Sequence, residues 1–142
     1  MTVFYSTELS GITSSPVVKP TAVTAYAARI RRYRGSITLA AQTTSDTIVV
    51  AYVPAGDDFA FGMHTTTVTL GSTTVAIGIA GTTGKYRAGA TFTATDVPTP
   101  FGTALQVAAA ALTAEEQIFL TLGAAPLPGS GTYIVDHYFS RP

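Results

Sequence analysis

From Gly35 onward, hydrophobic and polar positions alternate in short runs closed by glycine, proline or aspartate. That is a strand pattern rather than a helical one. Residues 36–42 put Ile37, Leu39 and Ala41 on one face. Residues 47–53 are apolar on both faces and stop at Pro54-Ala55-Gly56-Asp57-Asp58, a turn by its chemistry. Residues 58–64 form a shorter candidate. Residues 67–70 and 74–79 flank Gly71-Ser72-Thr73, which predicts a hairpin. Residues 90–94 follow a loop and end before Val97-Pro98-Thr99-Pro100. Residues 117–122 and 132–139 are the last two strands, separated by a Gly- and Pro-rich connection.

Residues 103–116 are ambiguous. Leu105, Ala108, Ala109 and Leu112 match a helical period, and alanine has the best helix propensity. Thr113-Ala114-Glu115-Glu116 fits a capping box. A strand begins directly after it, so the motif is read as a turn entering that strand. About eight short strands predict an all-β, single-domain antiparallel β-sandwich, jelly-roll-like, spanning residues 29–142.

Composition agrees. The 25 Thr, 12 Val and 8 Ile make about a third of the chain β-branched, suited to a pleated, half-buried surface. Charged residues are 11% of the 142, with eight of each sign. No bulk basic excess exists to drive nucleic-acid binding, and no partner of that kind is expected. No apolar run approaches the ~18 residues of a membrane span, and Met1 to Tyr5 does not resemble a signal peptide. A soluble protein made in the cytoplasm, without a membrane partner, is expected.

Residues 1–28 differ from the rest: two charges, Glu8 and Lys19, and no sustained period. They read as an extended N-terminal arm, with enough apolar residues to dock on a neighbour. Fully extended, ~28 residues reach on the order of 90 Å. Next come Arg29, Arg31, Arg32 and Arg34, half of all basic residues. In an extended chain Arg32 and Arg34 share a face with Ile30, and Arg29 and Arg31 share the other with Tyr33. Charge on both faces excludes burial in a sheet. Two readings stay open: an edge strand guarded by charge, or a partner-binding anchor on an acidic protein surface.

No catalytic set emerges. With no Cys, thiol chemistry and Cys-ligated zinc are excluded. Gly81-Thr82-Thr83-Gly84-Lys85 lacks the spacing of a phosphate loop and reads as a flexible turn with Lys85 and Arg87 solvated. His64, in a turn region, and His137, beside Asp136, have no metal-ligand spacing. Asp57-Asp58 and Glu115-Glu116 lie in predicted turns, facing water. No enzyme activity, cofactor or metal is expected.

Four stretches are similar to small virion proteins of tailed bacteriophages: 32–40 (RYRGSITLA), 46–56 (DTIVVAYVPAG), 70–80 (LGSTTVAIGIA) and 127–136 (LPGSGTYIVD). Across residues 30–140 the chain resembles the capsid cement (decoration) protein family. The resemblance implies a homotrimer on the outside of a phage head, bound to the major capsid protein and stabilising the shell. A carbohydrate- or receptor-binding head-fibre or tail-fibre module is the competing class. It would stack sugars on exposed aromatics, of which this chain has seven Tyr and no Trp. Low charge at zero net charge also predicts an obligate oligomer.

Overall fold

Eight strands and one helical turn form within residues 29–141, which together with Pro16 are the residues described by the computed structural model. They are β1 (Arg29–Thr38), β2 (Ile48–Val53), β3 (Asp58–Thr66), β4 (Thr74–Ile79), β5 (Thr82–Thr91), β6 (Thr99–Phe101), α1 (Ala104–Val107), β7 (Glu116–Gly123) and β8 (Thr132–Arg141). One sheet has the order β1-β8-β3-β6 and the other β2-β7-β4-β5, with antiparallel neighbours throughout. First pairs with last, second with seventh, third with sixth and fourth with fifth. This nested pairing across two sheets is the all-β antiparallel sandwich expected. The expected arm, residues 1–28, lies outside the described residues apart from Pro16.

The core is the set of inward side chains that strand alternation supplies. Tyr133, Val135, His137 and Phe139 of β8 are fully buried, as are Ile118 of β7 and Val75 and Ile77 of β4. Phe59, Tyr86 and Phe139 meet at ring separations of 4.6–6.1 Å, in tilted and edge-on arrangements. Each large side chain buried this way contributes roughly 1.5–3 kcal/mol.

Four local expectations are corrected. Residues 67–70 form no strand: Thr67 N–H donates to Thr132 O and Leu70 N–H to Phe92 O, so this segment satisfies its backbone while crossing between sheets. The hairpin partner of β4 is β5, joined through Gly81 at φ 78°. Of residues 90–94, read as a strand, only Ala90 and Thr91 belong to one, the end of β5, and residues 92–94 lie past it. Strand β6 was hidden by Pro98 and Pro100. It lies at a sheet edge, where Pro100 opposite Met63 needs no outward N–H. The helical turn sits earlier than the capping-box motif, with Thr103 as N-cap accepting from the Gln106 N–H. As expected, Thr113-Ala114-Glu115-Glu116 leads into a strand, β7.

Two glycines permit close approach. A Cβ on Gly35 would stand 2.8 Å from Val50 Cβ, where β1 crosses over β2. One on Gly62 would fall inside the Phe101 ring. Gly35→Ala and Gly62→Ala are each expected to cost about 1–3 kcal/mol by overpacking. Gly129→Ala, with nothing near its Cβ position, should stay within about 0.5 kcal/mol of the parent in urea unfolding.

Candidate assembly surface

The arginine run lies on β1, an edge strand of its sheet. Tyr33 and Ile37 point inward, while Arg32 and Arg34 point outward. The four arginines do not act alike. Arg34 Nε and Nη2 donate to Asp136 Oδ1 and Oδ2 at 2.7 and 2.6 Å, a bidentate pair across the β1–β8 register. That pairing raises the Arg34 pKa and covers a carboxylate that would otherwise face water. Arg29, Arg31 and Arg32 are exposed and form no ion pair among the described residues. Arg31 lies near the Tyr33 hydroxyl.

Behind them sits a polar latch. Asp57, expected to face water, is fully buried. It accepts from the Tyr33 hydroxyl and pairs with Arg141 Nε. Arg141 Nη2 also donates to Ala55 O at 2.5 Å. The turn is fixed from its other side, with Gly56 N–H to Leu112 O at 2.7 Å and Leu112 N–H to Asp57 O at 2.8 Å. Turn chemistry located the bend correctly, but it could not show that both ends of the described chain close over it. Tyr33 titrates above its ordinary value, through burial first and Asp57 second.

Lys85 and Arg87 are not solvated turn residues. Lys85 pairs with Glu116, whose other oxygen accepts from the buried Tyr86 hydroxyl at 2.6 Å. Arg87 donates to the carbonyls of Val75, Ala90 and Thr91, closing the bulged end of β5. Burial, then Glu116, pushes the Tyr86 phenol far above its ordinary range.

His64 lies on β3, the strand expected over residues 58–64, and both histidines are core residues. His64 Nδ1 shares a 2.7 Å hydrogen bond with Tyr133 OH, and its ring stacks on Phe92 at 3.9 Å. His137 packs edge-on against Tyr86 and Phe101, and neither ring nitrogen has a hydrogen-bond partner among the described residues. Asp136 and His137 point to opposite faces, as alternation requires. No group of three metal-ligating side chains forms among the described residues.

The outer face of each sheet carries exposed apolar side chains. On the β1-β8-β3-β6 sheet, Phe61 stacks on Tyr138 at 4.5 Å and 15°, with Ile30 and Met63 alongside. On the other sheet, Val49 stands opposite Phe119, and Tyr52 opposite Gln117, whose Nε2 donates to the Tyr52 hydroxyl at 2.9 Å. Sequence reading missed both patches. Strand alternation assigns each residue a side but does not tell which strands are neighbours.

No family model and no curated protein sequence matches this chain. Among solved structures it is similar to a chain of the cyanophage Pam1 capsid asymmetric unit, with a TM-score of 0.67 and 17% identity, covering 81% of this chain and 86% of that one. It is also similar to a chain of the capsid of Ralstonia phage GP4, with a TM-score of 0.64 and 16% identity over 80% and 85%. At these identities the likeness is one of fold.

The buried histidines predict acid sensitivity. Burial, joined by Arg87, lowers His64 to about 4, and burial, partly opposed by Asp136, lowers His137 to about 4. Below the unfolded value of about 6.5, the unfolded chain binds protons that the folded one excludes. Stability held at neutral pH is therefore lost as pH falls from about 6.5 to about 4, by roughly 3 kcal/mol per histidine. Urea midpoints across this range should drop steeply, and His137→Phe should remove about half of the histidine-dependent slope.

Proposed function

We propose that this chain is a structural virion protein that binds the outside of a bacteriophage head and stabilises the capsid, as a cement or decoration protein does. The observation that carries the reading is the likeness in fold, over four fifths of the chain, to chains from two phage capsids. The residues that could have suggested chemistry are occupied in holding the fold: both histidines in the core, Asp57 in the latch, Lys85 with Glu116.

In this reading the protein assembles with itself as a homotrimer, and its partner on the head is the major capsid protein. Arg29 and Arg31, solvated at one end of the sandwich, anchor on acidic groups of the shell, with Arg32 beside them on the outer face of the sheet. Arg34 supports them from within the sheet through Asp136. Residues 1–28 lead into β1 at that same end and supply the arm that crosses to a neighbour. One exposed ion pair contributes only about 0–1 kcal/mol, but repetition over a trimer and a lattice turns small terms into avidity.

The fibre-module reading is less well supported. Tyr52 and Phe61, the exposed aromatics among the described residues, lie on opposite sheets and form no common platform for a sugar.

Co-sedimentation with heads lacking this protein tests the proposal. The parent protein should bind and raise the temperature at which heads release DNA. Replacing Arg29 and Arg31 together by Glu should weaken binding at least tenfold and remove its salt dependence, with unchanged unfolding. Arg34→Glu should instead lower stability, since it sets two carboxylates side by side. Parent protein that fails to bind heads at any salt concentration would refute the assignment.

A further inference from the structure

The two outer faces are complementary to each other, and we infer that the outer face of the β1-β8-β3-β6 sheet of one copy packs on the outer face of the β2-β7-β4-β5 sheet of the next. This rests on the self-association proposed above and names the surfaces that carry it. The first face presents Ile30, Phe61, Met63 and Tyr138 with Arg32 beside them. The second presents Val49, Tyr52, Phe119 and Gln117, with Glu115 next in the alternating series. Ile30 is 56% exposed, Phe61 42%, Val49 41% and Tyr52 59%, which is high for side chains this large. Aromatic and aliphatic anchors of this kind are enriched at interface centres.

Charge decides which face meets which. Arg32 and Glu115 are both exposed and form no ion pair among the described residues, whereas the neighbouring Arg34 and Glu116 are already held by Asp136 and Lys85. A face packed on its own kind would bring only Arg32, or only Glu115, to the contact as free charge. Only the mixed arrangement brings opposite charges to the rim, and like charges across an interface select against the wrong pairing. A contact between unlike faces is heterologous, and each copy uses both faces. It closes into the proposed trimer when successive copies are related by a third of a turn, and otherwise grows as an open array.

Two single variants and their mixture test this. Phe61→Glu breaks the first face and leaves the second intact; Tyr52→Glu does the reverse. Both sites are exposed, so each variant should keep the parent's circular dichroism spectrum; Ile30→Glu replaces Phe61→Glu if that one does not. Sedimentation should show each variant alone as a monomer. Mixed, they should form a one-to-one dimer that does not grow, since one sound interface remains and the ring cannot close. Arg32→Glu and Glu115→Arg should each weaken assembly several-fold, and the double variant should regain most of the loss. Either single variant assembling like the parent, a mixture that stays monomeric, or a monomeric parent at micromolar concentration overturns the inference. A parent that is monomeric yet binds heads leaves the proposed function standing without it. Rings that ignore heads do the opposite.

Discussion

Strand β8 is the piece on which the sandwich depends. It lies between β1 and β3, pairing with both, and its inward residues Tyr133, Val135, His137 and Phe139 are all fully buried. Without it, β1 has no neighbour in its sheet and β3 keeps only the three-residue β6. The polar groups that matter most converge on the same strand. Arg34 grips Asp136 from β1, Tyr133 holds His64, and Arg141 reaches the buried Asp57. Cohesion therefore comes from contacts spanning nearly the whole described chain.

This arrangement also explains how charge is distributed. Few charges are available, and most are consumed internally. Asp57, Glu116 and Asp136 each take a cation, and Arg87 is devoted to backbone carbonyls. Buried carboxylates without these partners would be strongly destabilising. What is left over is asymmetric: three arginines at the start of β1, against Asp46, Asp96 and Glu115 on separate loops. The protein's outward electrostatics are the remainder of its own folding.

How much of this was legible beforehand follows from physical range. Alternation and turn chemistry act over a few residues, so β2, β7, β8 and the bend at 54–58 could be read from the sequence. The sandwich class followed from counting such segments. The crossing segment 67–70 has strand-like residues but spends its hydrogen bonds between sheets. Strand β6 is shorter than any reliable period and carries a proline. The four arginines were visible as a group, while the division between Arg34 and the other three was not, because Asp136 is 102 residues away. The Phe61–Tyr138 stack was beyond reach for the same reason.

The distance between β1 and its partner has a consequence for synthesis. At ~5–20 residues per second, the hundred residues between Arg34 and Asp136 take on the order of 5–20 s to be made. During that interval β1 has left the ribosome with neither edge paired, and many copies translated close together could join through it. Arginines on both faces of its first half oppose such pairing between nascent chains. The run that stands at the surface of the finished protein thus also keeps its first strand apart from its siblings until the last one arrives.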